Sequence, residues 1–253
     1  MLLTRTGLAS IREKASTVKR RINLPFNFAA AIALLFCLSA ATNAQSQHNF
    51  QFGIDFTTII PTGDFSKNVT NNGYGVGGQL LIGIGRTPLL LGVDGAFATY
   101  GSEEHREPIS ETIPELRVKV RTNNNITLTH LLLRAQPRSG NVRPYVDGLV
   151  GFKYLFTDTA ILNDENDEEL TSTKNLSDLV FSWGFGGGVQ VRLGRVGRNG
   201  DLMFDSKVRY LRGSRAEYLK EGSIRRENGQ VFFDVLSSRT DVVAVQFGIT
   251  FRF

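Results

Sequence analysis

Hydrophobic and polar residues alternate one by one in eight segments of this sequence, each about 10 residues long. The last segment shows the pattern most clearly, because every second residue from Val243 to Phe253 is hydrophobic. The residues between them are Ala244, Gln246, Gly248, Thr250 and Arg252. An alternation with a period of two predicts a β-strand with two different faces, whereas no helical period is sustained beyond residue 44.

The other seven segments repeat this pattern and cover residues 50–58, 74–85, 89–98, 126–136, 143–156, 181–193 and 204–210. The fourth segment is the least regular, because His130 and Arg134 share a face with Leu128 and Leu132. We predict that this face points into the protein, since an arginine that faces lipid costs ~2–4 kcal/mol at the centre of a bilayer.

The two faces of these segments differ in size as well as in polarity. One face is large and almost free of charge, whereas the other carries glycine, alanine and isolated charged residues. A soluble β-sandwich would bury the large face and show polar groups to water. Small and charged residues instead suit the narrow interior of a barrel whose apolar wall contacts lipid. The predicted fold is therefore all-β, an eight-stranded antiparallel transmembrane β-barrel with short periplasmic turns and long extracellular loops.

The connections between the predicted strands alternate strictly between long and short. The long ones cover residues 61–73, 101–125, 157–178 and 213–241, and the short ones cover 86–88, 137–141 and 194–201. Outer membrane barrels sort their connections in this way, with short turns in the periplasm and long loops outside the cell. A soluble all-β fold has no reason to do so, which makes this the strongest argument for the barrel.

The N-terminal segment holds the whole net charge of +5, because the first 44 residues contain six basic residues and one acidic residue. A basic stretch at residues 19–21 precedes an apolar run at residues 26–41, and small residues follow before Gln45. This order predicts a cleaved secretory signal peptide. We therefore divide the chain into a signal peptide, residues 1–44, and an outer membrane β-barrel domain, residues 45–253. An uncleaved N-terminal anchor is the alternative.

Removal of the signal peptide would change both the charge and the cysteine count. The remaining chain has equal numbers of basic and acidic residues, and it has no cysteine because Cys37 lies in the apolar run. A disulfide framework is thereby excluded, and the neutral balance gives no support to nucleic-acid binding.

The sequence resembles the eight-stranded outer membrane barrels of Gram-negative bacteria, the porin-like group that includes the OmpA transmembrane domain and OmpX. The resemblance rests on the signal peptide, the eight alternating segments and the terminal aromatic run that ends with Phe251 and Phe253. It implies a location in the bacterial outer membrane, in contact with its lipids and lipopolysaccharide. It also implies delivery by periplasmic chaperones and recognition of Phe251 and Phe253 as a signal for the barrel assembly machinery.

Ten charged residues on the inward faces form the candidate site. They are predicted to build a lumen ion-pair network from Asp55, Asp94, Asp147, Asp205, Arg143, Lys153, Arg192, Lys207, Arg209 and Arg252. Buried charges without partners cost several kcal/mol, which favours a plug of paired side chains. The expected role is structural or interactive, through envelope integrity or contact of the loops with an extracellular ligand. A small-diameter pore for ions or small solutes is the alternative.

Enzymatic activity is not expected, although some outer membrane barrels modify lipids. Such enzymes need a nucleophilic serine with a histidine and a carboxylate in reach. The chain has three histidines, His48, His105 and His130, and none shows the His-x-Ser pairing of the lipid A deacylases. No cofactor and no metal ligand set is predicted. The acidic stretch at residues 164–169 is interpreted as a solvated loop, and the less favoured alternative is that it binds divalent cations that bridge to lipopolysaccharide. A lipid-modifying enzyme remains a distant alternative.

Overall fold

The computed structural model describes residues 50–110, 113–163, 169–197, 200–220, 222–227 and 230–253. The predicted signal peptide and the boundary at residue 44 lie outside these residues, as do His48 and most of the acidic stretch.

The described residues form twelve strands and one short helix. In chain order these are β1 (Phe50–Pro61), α1 (Asp64–Asn68), β2 (Gly73–Gly83), β3 (Leu89–Ser110), β4 (Ile113–Ala135), β5 (Val142–Asn163), β6 (Glu169–Val196), β7 (Gly200–Gly213), β8 (Arg215–Tyr218), β9 (Ile224–Glu227), β10 (Gln230–Phe233), β11 (Leu236–Arg239) and β12 (Val242–Arg252).

Eight of the strands close into a barrel in the order β1-β12-β7-β6-β5-β4-β3-β2. All neighbours are antiparallel, and closure is made by β1 and β12, where Phe52 lies opposite Phe251. These strands coincide with the eight alternating segments, so the predicted barrel is confirmed. Closure leaves no unpaired sheet edge, which hydrocarbon would not tolerate.

The two faces of the wall separate as the alternation predicts. Large side chains such as Phe152, Phe185 and Phe247 are exposed on the outside, while the small and charged residues lie inside. On β4, Leu131 is 59% exposed and Arg134 is 0% exposed. The prediction that the charged face of the fourth strand points inward is therefore confirmed.

Each of the three short turns contains a glycine with a positive φ angle. These are Gly85 at 54°, Gly140 at 116° and Gly197 at 63°. Residues with a Cβ atom rarely adopt this conformation, so glycine allows the chain to reverse within a few residues. We call the end of the barrel that carries these turns the short-turn end.

The long connections contain more strand than the sequence pattern indicates. The pairing of β3 with β4 continues to Ser110, opposite Ile113, and that of β5 with β6 continues to Leu162, opposite Glu169. Strands β3 to β6 thus form an outer sheet that extends past the ends of the other four barrel strands. On β3 the sequence at this level is polar or glycine from residue 101 to residue 107, and main-chain pairing between strands needs no apolar residues.

The helix α1 covers part of the opposite, long-loop end. Its Phe65 is fully buried, and its ring meets those of Tyr100 and Tyr218 edge-on at 5.8 and 5.0 Å. These three rings tie α1 and β8 to the wall of the barrel. Among the described residues, no helix is both long enough and apolar enough to cross a membrane.

Candidate functional site: the polar interior of the barrel

The centre of the barrel contains a chain of paired charges. Arg134 on β4 donates two hydrogen bonds to Asp147 on β5, at 2.7 and 2.9 Å. Arg209 on β7 donates to the same carboxylate at 2.9 Å and to Asp94 on β3 at 2.7 Å. All four side chains are almost completely buried. The bidentate geometry is the strong form of a charge-assisted hydrogen bond.

Asp205 on β7 accepts hydrogen bonds mainly from uncharged donors. Tyr145 donates to it at 2.5 Å, and further donors are Gln79, Gln190 and Thr250, at 2.9 to 3.1 Å. The guanidinium of Arg134 lies 4.0 Å away. The ring of Tyr145 also lies under this guanidinium, with 3.6 Å between the charge centre and the ring centroid. Four hydrogen bonds satisfy the buried carboxylate without a close ion pair.

Asp55 on β1 is hydrogen-bonded to side chains of β7 and β12. Its carboxylate accepts a hydrogen bond from Lys207 at 2.7 Å and another from Gln246 at 2.8 Å. Gln246 in turn accepts from Arg209 at 3.1 Å, and Gln79 accepts from Arg134 at 3.0 Å. These links connect side chains from all eight barrel strands in one hydrogen-bonded network. We call it the lumen network; its members are Asp55, Gln79, Asp94, Arg134, Tyr145, Asp147, Gln190, Asp205, Lys207, Arg209, Gln246 and Thr250.

Lys153 lies inside the barrel but makes a different contact. Its ammonium donates to the main-chain carbonyls of Leu211, at 2.9 Å, and Thr240. Within the described part of the chain, no salt bridge joins Lys153 to a carboxylate. Lys153 therefore attaches β5 to the two ends of the long connection between β7 and β12.

The remaining predicted members lie at the short-turn end. Arg192 and Arg143 share the carboxylate of Asp201, at 2.6 and 3.4 Å. Arg252 donates to the carbonyl oxygen of Arg138 at 2.8 Å. Above them, three glutamine side chains form a closed ring of hydrogen bonds across the barrel, made by Gln51, Gln136 and Gln190. Gln190 belongs to both the ring and the lumen network, because it also donates to Asp205 at 3.1 Å.

The ten predicted residues thus fall into three sets. The four aspartates, Lys207 and Arg209 meet in the lumen network, whereas Lys153 and the three arginines at the short-turn end bind other groups. Sequence reasoning left out Arg134, although its place on the inward face was available as a signal. It also left out the glutamines and Tyr145, which carry no charge and so gave no reason to be selected.

One pair inside the barrel has the residue types of a catalytic dyad. Nε2 of His130 lies 3.0 Å from the hydroxyl of Ser182, which also donates to the carbonyl oxygen of Arg212. Nδ1 of His130 is buried, and among the described residues it has no hydrogen-bond partner to orient it. A nucleophilic serine needs that orientation and access to a substrate, and both residues are almost completely buried. The pair therefore acts as a link between β4 and β6.

Phe251 and Phe253 lie where the barrel closes. The ring of Phe251 stacks on Phe52 with 6.5 Å between centroids, and Phe253 exchanges two main-chain hydrogen bonds with Phe50. Both aromatic residues point outward, and Phe253 is exposed. In the described part of the chain, no group of three or more His, Cys, Asp or Glu residues has the arrangement of a metal site.

A sequence profile of the outer membrane protein beta-barrel domain matches residues 28–251, which is most of the chain. The chain belongs to this family. Membership indicates an outer membrane location and agrees with the closed eight-stranded barrel. A search of curated proteins finds no significant match.

Several solved structures of this family's fold are similar to the chain. Neisserial surface protein A is 12% identical, with coverage of 82% of this chain and 96% of that chain and a TM-score of 0.37. Ail of Yersinia pestis is 14% identical, with coverage of 81% and 97% and a TM-score of 0.37. Outer membrane protein W of E. coli is 19% identical, with coverage of 83% and 100% and a TM-score of 0.36.

Proposed function

We propose that this outer membrane barrel is a closed structural element that presents a binding surface outside the cell, rather than a pore. The lumen network is the observation that carries the proposal. It crosses the barrel and ties Asp94, Arg209 and Asp147 together at distances below 3 Å. An ion that entered would have to displace hydrogen bonds between buried charges, each worth about 1.5–3 kcal/mol.

The outer sheet supports the second half of the proposal. It extends from the long-loop end, and its side chains are held by polar contacts such as those of Glu104 with Arg121, at 2.9 Å, and Lys119, at 3.1 Å. A paired sheet offers a partner a more ordered surface than a free loop does, so less conformational entropy is lost on binding. In this proposal the long-loop end faces outward, the short turns lie in the periplasm, and residues 1–44 direct export and are removed.

The partners follow from this placement. The apolar wall contacts outer membrane lipids, and the outer sheet lies at the level of lipopolysaccharide. Phe251 and Phe253 are proposed as the assembly signal, read by the barrel assembly machinery after transport by periplasmic chaperones. The extracellular ligand binds the outer sheet or the connection between β7 and β12. No chemistry on a lipid substrate is included in the proposal, because the His130–Ser182 pair is enclosed by the wall.

Conductance in planar lipid bilayers tests the closed lumen. The protein is expected to give no reproducible current steps at neutral pH, while a general-diffusion porin in the same apparatus shows that steps would be detected. A double variant, Asp94→Ser with Arg209→Ser, removes two partners together and widens the centre of the barrel. It is expected to conduct more often than the natural protein. Reproducible steps from the natural protein would instead favour the pore.

A further inference from the structure

A cavity of about 240 Å³ opens at the long-loop end of the barrel. We call it the outer cavity; it is lined by Lys67, Asn68, Val69, Thr70, Asn71, Tyr100, Gly101, Asn124 and Lys220. Three parts of the chain form its walls. These are the end of α1 with the residues that follow it, the upper parts of β3 and β4, and the residue Lys220 after β8.

The wall made by α1 is fixed to the barrel. Phe65 packs between Tyr100 and Tyr218, and Asn68 donates a hydrogen bond to the Tyr218 hydroxyl at 2.9 Å. Tyr100 itself is a lining residue and is almost completely buried. The outer cavity is therefore formed before any ligand binds, which reduces the conformational entropy lost on binding.

Asn124 on β4 supplies a hydrogen-bond donor to this cavity. Its side chain is 1% exposed, and its carbonyl oxygen accepts a hydrogen bond from Thr157 at 2.7 Å. Among the described residues, the amide nitrogen of Asn124 donates to no partner. This nitrogen is not one of the buried atoms that lack a partner, so it is open to water in the cavity, and a ligand group that accepts from it takes the place of that water.

Among the described residues that line the cavity, the charged ones are Lys67 and Lys220, and none is a carboxylate. Asp64 forms a salt bridge with Lys67 at 2.8 Å, but it lies outside the lining. In the described part of the chain, the ammonium of Lys220 forms no salt bridge. The outer cavity therefore favours an anion.

Size and polarity narrow the class of anion. A volume of about 240 Å³ equals that of roughly eight water molecules at about 30 Å³ each, which is enough for one sugar ring with a charged substituent. The amide and hydroxyl groups of Asn68, Thr70 and Asn124 suit the hydroxyl groups of a sugar. A metal cation would be repelled by Lys220, whereas the charge of Lys67 is compensated by Asp64.

We propose that the outer cavity binds one acidic sugar unit, a ring that carries a carboxylate or a phosphate group. Lys220 contacts the acidic group, and Asn124 donates to a ring hydroxyl. The inference rests on the proposed function in one respect, the outward direction of the long-loop end. Its test does not depend on whether the lumen conducts.

Isothermal titration calorimetry on the folded barrel in zwitterionic micelles provides the test. The probes are glucuronate, glucose 6-phosphate, glucose and inorganic phosphate. Both acidic sugars are expected to bind saturably and at least tenfold more tightly than glucose or phosphate. The proposal is overturned if neither acidic sugar binds, if glucose binds equally well, or if phosphate alone accounts for the affinity as an adventitious ion only.

Two variants and a matched control locate the bound sugar. Lys220→Gln is expected to weaken glucuronate binding at least tenfold, whereas Arg86→Gln, the same loss of charge in an exposed short turn, leaves it unchanged. Thr70→Trp at an exposed position fills the cavity and abolishes binding. Equal affinities in all three variants would overturn the proposal.

A competition experiment separates two sources of the sugar. The barrel is placed in nanodiscs with or without lipopolysaccharide, and glucuronate binding is measured in both. Loss of binding with lipopolysaccharide would show that the acidic sugar belongs to the surrounding membrane. Unchanged binding would show that it comes from outside the cell. In both cases the sugar binds in the outer cavity, and only its source differs.

Discussion

Arg134 and Asp147 lie directly opposite each other on β4 and β5 and form a bidentate ion pair in which both side chains are fully buried. Their separation in sequence is short, because only a tight turn joins the two strands. The Asp147 carboxylate also accepts from Arg209 on β7, two strands away around the barrel, at 2.9 Å.

Asp147→Asn is expected to destabilise the barrel strongly. The change leaves Arg134 and Arg209 without their shared charged partner, and breaking a buried pair in this way costs about 3–5 kcal/mol. Urea unfolding in detergent micelles, followed by tryptophan fluorescence, measures the loss. The control is Asp64→Asn, which breaks an exposed pair with Lys67 and is expected to leave the unfolding midpoint unchanged.

A double variant tests whether the loss in Asp147→Asn comes from unpaired charge. Arg134→Met combined with Asp147→Leu removes both members of the pair and fills their volume with apolar atoms. It is expected to recover a large part of the stability, because a buried pair replaced as a unit costs little. The single variants Arg134→Met and Asp147→Leu are measured beside it. If the double variant loses as much unfolding free energy as the two single variants together, packing rather than charge determines the loss of stability.

Gly92→Val is expected to prevent correct folding. Gly92 lies on the inward face of β3, and a Cβ atom there would collide with the main chain of Leu80. Gly148 offers a matched control, because a Cβ atom at this position on the outer face meets no atom within 4 Å. Gly148→Val should therefore fold normally. The heat-modifiable shift of folded barrels in gel electrophoresis reports both results, and equal folding of the two variants would contradict the explanation.

Acidification is expected to loosen the outer sheet before the barrel. The hydrogen bond from Arg121 holds the pKa of Glu104 below its ordinary value of 4.5, with a further contribution from Lys119. A lowered pKa in the folded state means that the pair stabilises the sheet above pH 4.5 and that this contribution is lost as the pH falls through the lowered value. Glu104→Gln abolishes the pH dependence.

Hydrogen exchange measured by mass spectrometry checks this behaviour. Peptides that cover residues 100–110 and 113–124 should lose protection between pH 6 and pH 3, after correction for the intrinsic exchange rates. Peptides from β1 and β12 should keep theirs. A loss of protection of the same size in Glu104→Gln would assign the effect to another group.

Lys153→Met is expected to release the connection between β7 and β12. The ammonium of Lys153 holds the carbonyl groups of Leu211 and Thr240, and methionine provides no donor for them. Trypsin should then cut the segment between residues 213 and 241 several-fold faster, while the barrel core stays resistant. Lys67→Met, a change at an exposed lysine, should leave the cleavage rate as it is.

The alternation of the sequence was sufficient to predict the eight strands and the direction of each face. It places Asp55, Asp94 and Asp205 inside because a period of two leaves no other choice once the apolar face is known. It could not predict that Asp205 is held by Tyr145 and Gln79 rather than by an arginine. Such pairings depend on the register between strands and on the reach of long side chains. Neither can be read from the sequence of a single strand.

The outer part of the molecule was less accessible to sequence reasoning for a different reason. On β3 the residues from 101 to 107 are polar or glycine and give no alternation, and the alternation of residues 116–121 on β4 was not recognised as a strand. The outer cavity was likewise missed. It brings Lys67, Asn124 and Lys220 together from three distant parts of the chain.

The position of Asp55 has a consequence for the order of assembly. Its partners Lys207 and Gln246 belong to strands near the other end of the chain, and Gln246 lies on the 11-residue strand β12 that completes the wall. A barrel that still lacked β12 would keep the ion pairs of Asp55 and Arg209 but lose the hydrogen bonds of Gln246 to both, and it would leave two sheet edges unpaired in hydrocarbon. The C-terminal strand therefore completes two sets of hydrogen bonds together, those of the main chain along β1 and β7 and those of Gln246 inside the barrel.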